Sequence, residues 1–121
     1  MLSRTEIFGY SPKKEYSKSV AYFSMEFAID QSLKIYSGGL GFLAGSHMRS
    51  AFELKQNLVG IGMLWKYGYY DQVRSINGAM KADYVQKYYS FLTDTGIVFP
   101  VEVHSAIVYV KAYLLKPEVF G

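Results

Sequence analysis

A glycine-rich segment is the first feature of the sequence that could carry chemistry. Its residues, Gly38, Gly39, Leu40 and Gly41, open a stretch to about residue 55 in which apolar residues recur at helical spacing. Glycines at a helix start let an anion approach the backbone N–H groups, and the helix dipole adds positive charge there. The segment therefore indicates an anion site, with phosphate as the preferred ligand, or else a tight turn that packs helix against strand.

Glu26 is the second candidate, because it directly follows an apolar run that is predicted to be a strand. A carboxylate at the carboxyl end of a parallel strand lies where ligand crevices form, so it can bind sugar hydroxyls or position a reacting group. The alternative is a solvated or capping acid. His47 and His104 lie far apart in the sequence without metal-ligand spacing, so no metal site is predicted.

A group of aromatic side chains follows the second apolar run of the sequence. Aromatic residues in this setting either stack on a sugar or a base, or form core and cross-strand pairs. The members of the group are Trp65, Tyr67, Tyr69 and Tyr70.

Two apolar runs flank the predicted helix and position both candidate sites. Residues 20–25 and 58–65 are nearly continuous in apolar character, which is typical of strands buried on both faces of a parallel sheet. Strand, helix and strand in this order predict a βαβ unit with a right-handed crossover, and hence the α/β class. We expect the two strands to be parallel and adjacent or nearly so.

The second half of the chain is rich in β-formers. Residues 67–74 predict a further strand that turns at Asn77-Gly78, a dipeptide typical of tight hairpins. Alternation over 97–103 and a β-rich run over 107–115 predict an antiparallel hairpin. Residues 82–92 fit a helix and a strand equally well, so their conformation stays open.

Composition narrows the class of protein. The chain has 121 residues, of which 50% are hydrophobic and 19% are charged, and its net charge is +3. A globular protein is therefore expected, and the charge is too mild for a nucleic-acid partner. Cysteine is absent, which excludes thiolate catalysis. Residues 1–19 read as an irregular lead-in without a signal peptide, and no run suits a membrane span, so a soluble cytoplasmic protein is expected.

Three segments are more specific when they are considered together. They are Y-F-S-M-E-F (22–27), I-Y-S-G-G-L-G-F-L-A-G (35–45) and L-V-G-I-G-M-L-W-K-Y-G-Y-Y-D-Q (58–72). In this order they resemble the N-terminal region of the α-glucan phosphorylases, which act on glycogen, starch or maltodextrin. The resemblance implies that residues 20–121 are the first part of the N-terminal Rossmann-like domain of a GT-B glycosyltransferase fold, with the C-terminal cofactor domain absent.

The resemblance also implies an activity. Such enzymes transfer a terminal α-1,4-linked glucosyl unit of a glucan to inorganic phosphate, which gives glucose 1-phosphate, and they use pyridoxal phosphate as cofactor. By resemblance, Gly38, Gly39, Leu40 and Gly41 line the phosphate and glucosyl site, and Glu26 faces the same catalytic pocket. The lysine that binds the cofactor belongs to the C-terminal domain, so none of Lys55, Lys66 or Lys111 is nominated. The chain alone is therefore expected to be inactive.

Two other functions stay open at this point. A nucleotide-sugar glucosyltransferase similar to glycogen synthase also carries G-G-L-G, but it has a lysine two residues before the first glycine, where this chain has Tyr36. A non-catalytic module, either a truncated product or a domain that binds glucan or partners without turnover, is supported by the short length. The apolar end, Val119-Phe120-Gly121, is untypical of a natural terminus. One helix covers one face of a sheet, so we expect the isolated chain to self-associate.

Overall fold

The computed structural model of the protein describes residues 3–120. Residues 1, 2 and 121, which the sequence analysis placed in the lead-in and at the end of the domain, lie outside the described residues. Two compact units are present: one comprises residues 12–88, and the other comprises residues 3–11 with 89–120. Within the described chain, no helix combines the length and the apolar character needed to cross a membrane.

The regular elements are short apart from one helix and one hairpin. The helices are α1 (Arg4–Phe8) and α2 (Gly39–Glu53), and the strands are β1 (Val20–Phe23), β2 (Leu58–Ile61), β3 (Asp71–Arg74), β4 (Met80–Asp83), β5 (Thr93–Val103) and β6 (Ala106–Leu114). Single 3-10 turns lie at Lys14–Tyr16 and Pro117–Phe120. The structure is thus mixed α/β.

β1 and β2 form a parallel pair, with Val20 opposite Leu58 and Phe23 opposite Ile61. Because α2 connects them in the chain, the predicted βαβ unit and its parallel pairing are confirmed. The strands end earlier than predicted, at residues 23 and 61. The reason is Ser24, whose backbone N–H donates to Ile61 O at 3.1 Å while its hydroxyl donates to Glu26 O at 2.8 Å, which turns the chain away from β2.

α2 packs closely on the segment that follows β1. A Cβ placed on Gly45 would lie 2.8 Å from the carbonyl carbon of Ala28, so only glycine allows this approach of helix and backbone. Ala44 is fully buried in the same contact region. On the sheet, the Tyr22 ring meets His47 of α2 edge-on, with 4.9 Å between ring centroids.

The opposite face of the β1–β2 pair is open. Phe23 is 70% exposed and Ile61 is 42% exposed, as expected for apolar strands that a single helix covers on one face only. The physical reason is that the side chains of α2 reach only the face that carries Tyr22 and Gly60, as the contacts of His47 and the approach of Met48 to Gly60 show.

β3 and β4 form the antiparallel hairpin that Asn77-Gly78 predicts. Gly78 has a left-handed φ of 82°, and Ser75 N donates to Ala79 O at 2.9 Å to close the turn. β3 begins at Asp71 rather than at residue 67. Of the undecided segment 82–92, the first two residues end β4, and the rest is neither helix nor strand.

β5 and β6 form the second predicted hairpin, which is also confirmed, with Phe99 opposite Val110. Its two-residue turn places His104 and Ser105 at φ values of 47° and 65°. The irregular lead-in predicted for residues 1–19 is interrupted by α1. This helix starts with a capping box in which Glu6 N donates to Ser3 Oγ at 3.2 Å and Ser3 N donates to Glu6 Oε2 at 2.7 Å.

Candidate functional site

The fold brings Glu26 and the glycine-rich segment together. Glu26 Oε2 accepts hydrogen bonds from the backbone N–H groups of Ser37 at 3.3 Å and Gly38 at 3.4 Å. Its other oxygen, Oε1, accepts from the Ser37 hydroxyl at 3.2 Å. The segment 37–41, which we name the glycine loop, is thus tied to the residue that follows the end of β1.

Tyr69 completes this arrangement from a third segment of the chain. Its hydroxyl donates to Glu26 Oε1 at 2.5 Å. Tyr69 follows β2, in a loop shaped by Gly68, which has a left-handed φ of 60° and donates from its backbone N–H to Trp65 O at 3.1 Å. Because β1 and β2 are parallel, the segments after both strands emerge at the same edge of the sheet.

The role of the Tyr69 hydroxyl is not evident from the sequence, where Tyr69 belongs only to an aromatic group. It lies 43 residues from Glu26, so no local spacing connects the two. The signal that could have found the contact is the parallel pairing itself, since it places the residues that follow β1 and β2 side by side. Ser37, which donates twice to the same carboxylate, was also missed, because it lies 11 residues from Glu26 and no local spacing connects the two.

Hydrogen bonding sets the charge state of this cluster. The Tyr69 hydroxyl, followed by the donors of Ser37 and Gly38, lowers the pKa of the Glu26 carboxyl, although partial burial acts in the opposite direction. The same bond raises the pKa of Tyr69, because its proton is held by a carboxylate. At neutral pH, Glu26 is therefore an anion and Tyr69 is a neutral donor.

The first turn of α2 presents unused donors. Within residues 3–120, the backbone N–H groups of Gly39, Leu40 and Gly41 have no hydrogen-bond partner, and the first helical bond runs from Phe42 N to Gly38 O at 3.2 Å. Gly38 is the N-cap, and it has no side chain that could satisfy these donors. They lie at the positive end of a 15-residue helix, an arrangement that stabilises a bound anion.

The glycines of the loop differ in what surrounds them. A Cβ on Gly38 or on Gly39 would have no atom within 4 Å, and neither residue has a left-handed φ. A Cβ on Gly41 would lie 2.6 Å from Tyr36 Cβ and 3.1 Å from Glu26 Oε2. Gly41 is therefore a packing glycine, whereas Gly38 and Gly39 border open space that a ligand can enter.

The two histidines of the sequence, and Asp30 in the segment after Glu26, have structural contacts of their own. His47 packs on Tyr22, and His104 forms part of the turn between β5 and β6. Asp30 accepts from the backbone N–H and the hydroxyl of Ser32, at 2.8 and 2.7 Å. The candidate site of the described chain thus consists of Glu26, Tyr69 and the glycine loop.

Comparison with known proteins gives several relatives, and no family model matches the chain. An uncharacterized protein of Methanocaldococcus jannaschii is 58% identical over 104 residues, which is 86% of this chain and 20% of that protein. The maltodextrin phosphorylase of Thermococcus litoralis is 48% identical over 58 residues, or 48% of this chain. The glycogen phosphorylase of Mycobacterium tuberculosis is 44% identical over 59 residues, or 49% of this chain.

This chain spans only a small part of each relative. It matches 20% of the length of the Methanocaldococcus protein and 7% of each of the two phosphorylases. About half of the chain is therefore related to a short region of the maltodextrin and glycogen phosphorylases.

Proposed function

We propose that this chain supplies a phosphate-binding element of an α-glucan phosphorylase, which transfers terminal α-1,4-linked glucosyl units of glycogen or maltodextrin to inorganic phosphate. The observation that carries the proposal is the row of open N–H groups at Gly39, Leu40 and Gly41, next to space that no side chain fills. The similarity of about half of the chain to glycogen and maltodextrin phosphorylases supports phosphate as the anion and a glucan as the second substrate.

In this proposal the residues of the site have separate tasks. The N–H groups of the first turn of α2 bind the anion, and the helix dipole favours the negative charge. Leu40, whose side chain is 51% exposed, lines the same pocket toward the glucosyl unit. Glu26, which the resemblance places at the same pocket, accepts hydrogen bonds from the loop and holds it. Residues 20–121 would be the first part of an N-terminal GT-B domain, preceded by a lead-in at 1–19.

Pyridoxal phosphate belongs to the proposal as the cofactor of the complete enzyme, where its phosphate group exchanges a proton with the substrate phosphate. Two lysines of this chain are paired with carboxylates: Lys111 lies 2.7 Å from Asp94, which raises the pKa of the Lys111 ammonium, and Lys87 is paired with Asp71. Because the family resemblance places the cofactor lysine in a C-terminal domain, the proposal assigns no cofactor lysine to this chain.

An assay of the complete gene product tests this function. With pyridoxal phosphate, maltodextrin and inorganic phosphate present, we expect glucose 1-phosphate to form. The 121-residue chain, under the same conditions, should release none. Glucosyl transfer from a nucleotide sugar without phosphorolysis would instead indicate a synthase-like enzyme. Binding of glucan without turnover would indicate a non-catalytic module.

A further inference from the structure

The Glu26 carboxylate is saturated by donors of its own chain. A carboxylate offers about four lone-pair sites. Oε1 accepts from Tyr69 and Ser37 hydroxyls at 2.5 and 3.2 Å, and Oε2 accepts from the backbone N–H groups of Ser37 and Gly38 at 3.3 and 3.4 Å. No acceptor site is left for a sugar hydroxyl or for a proton of phosphate.

The backbone donors of the glycine loop therefore fall into two groups, one bound to the Glu26 carboxylate and one open to the proposed phosphate. Ser37 and Gly38 direct their N–H groups to Glu26, and the next three N–H groups, at residues 39–41, stay open. Since successive N–H groups in a first helical turn converge on one region, fixing the first two also fixes where the next three point. The conformation of the loop is thus coupled to the position of the carboxylate.

Tyr69 holds that carboxylate from outside the loop. The bonds from the loop to Glu26 are long, at 3.2 to 3.4 Å, whereas the bond from Tyr69 is 2.5 Å and comes from the segment after β2. We propose that Tyr69, acting through Glu26, is a positioning residue that holds the glycine loop in the conformation that binds phosphate. This assignment rests on the proposed function, and in it neither Tyr69 nor Glu26 contacts the anion.

Removal of one hydroxyl tests the assignment in the complete gene product. Tyr69→Phe deletes the donor and keeps the ring. Tyr70→Phe is the matched control, because Tyr70 is 46% exposed and contacts Tyr84 through its ring, with centroids 5.8 Å apart. Hydrogen exchange of the peptide that contains Ser37 and Gly38 reports the loop, and calorimetric titration with inorganic phosphate reports the site.

The expected effects are specific to Tyr69. Loss of a hydrogen bond to a charged group should weaken phosphate binding about tenfold, which corresponds to about 1.4 kcal/mol. Exchange of the loop amides should accelerate by a similar factor, about tenfold, because the carboxylate is no longer held. In Tyr70→Phe, both quantities should stay within about twofold of the wild type.

The pH dependence of phosphate binding separates positioning from a general loss of structure. Since the bond from Tyr69 lowers the pKa of Glu26, the decline of phosphate affinity on the acid side should begin at a higher pH in Tyr69→Phe than in the wild type. Glu26→Gln cannot titrate, so its affinity should be low and should lack this decline. Titrations between about pH 3 and 6 cover both sides of the ordinary glutamate pKa of about 4.3, and so include the lowered pKa of wild-type Glu26.

Each outcome decides the assignment. Unchanged loop exchange in Tyr69→Phe would overturn it, and so would faster exchange with unaltered phosphate affinity. A wild-type protein that binds no phosphate would overturn both this assignment and the proposed function. If the wild type binds phosphate and Tyr69→Phe responds as expected, but no glucose 1-phosphate forms from glucan, the proposed function fails while the positioning role stands.

Discussion

Gly39 and Gly41 lie two residues apart and should respond to substitution in opposite ways. In Gly41→Ala, the new Cβ would lie 2.6 Å from Tyr36 Cβ, so the two carbons must separate by about 0.8 Å to reach an ordinary contact of 3.4 Å. Tyr36 or the start of α2 has to move. Forcing an extra methyl into a packed site costs about 1 to 3 kcal/mol, so we expect that loss in the free energy of unfolding.

Gly39→Val should leave the fold intact and impair phosphate use. No atom lies within 4 Å of a Cβ at this position, and the φ of Gly39 is not left-handed, so a Cβ meets neither a clash nor backbone strain. The isopropyl group would extend into this open space at the first turn of α2, where the proposed anion binds. Loss of even one hydrogen bond between the open N–H groups of this turn and the anion costs about 1.5 to 3 kcal/mol, which lowers phosphate affinity roughly 10- to 100-fold.

Two measurements on the complete gene product separate the variants. Urea unfolding gives the change in stability, and phosphorolysis at varied phosphate gives KM and kcat. We expect Gly41→Ala to unfold at lower urea, and Gly39→Val to unfold as the wild type does while its phosphate KM rises at least tenfold. Normal turnover and phosphate KM in Gly39→Val would show that the loop is only a turn, and wild-type stability of Gly41→Ala would refute the packing argument.

Three further predictions concern the surroundings of the site. Gly45→Ala should destabilise the protein more than Gly41→Ala, because its Cβ would meet backbone of Ala28 at 2.8 Å rather than a side chain that can move; equal urea midpoints would contradict this. The lowered pKa of Glu26 contributes stability above the unfolded value of about 4.3, and this contribution is lost as pH falls through the folded value. The difference in urea midpoint between wild type and Glu26→Gln should therefore shrink as the pH falls through the folded pKa of Glu26. A difference that stays constant with pH would contradict this contribution to stability. Sedimentation of the 121-residue chain should show self-association, because most apolar side chains of β5 and β6 are exposed; a concentration-independent monomer with a sharp thermal transition is the opposing result.

The elements that sequence predicts well are those whose signals are local. The apolar runs of β1 and β2, the periodicity of α2 and the Asn77-Gly78 turn each lie within a few residues, and all appear in the structure. The capping box of α1 is also local, since Ser3 and Glu6 have the required spacing. Residues 1–19 are polar overall, however, and the sequence therefore predicts an irregular lead-in there instead of a helix.

The contacts that build the site cannot be predicted in this way. Strand β1 ends at Phe23 because the Ser24 hydroxyl bonds to the backbone of Glu26, a competition that residue types alone do not reveal. The Tyr69 bond to Glu26 depends on the register of β1 and β2 and on the left-handed turn at Gly68. The position of Glu26 directly after a predicted strand is sufficient to select it as a candidate. Its hydrogen-bond donors, however, are set by the tertiary structure.

The geometry of the glycine loop limits what this chain can do without further residues. Three N–H groups are open to an anion from one side, and each charge-assisted bond to it would contribute about 1.5 to 3 kcal/mol. The three bonds together would contribute about 4.5 to 9 kcal/mol, whereas association costs about 4 to 15 kcal/mol. Because these two ranges overlap, the loop alone should bind phosphate weakly. The proposed phosphorolysis therefore needs a second wall that excludes water and supplies positive charge, because the same three bonds become stronger in an enclosed site.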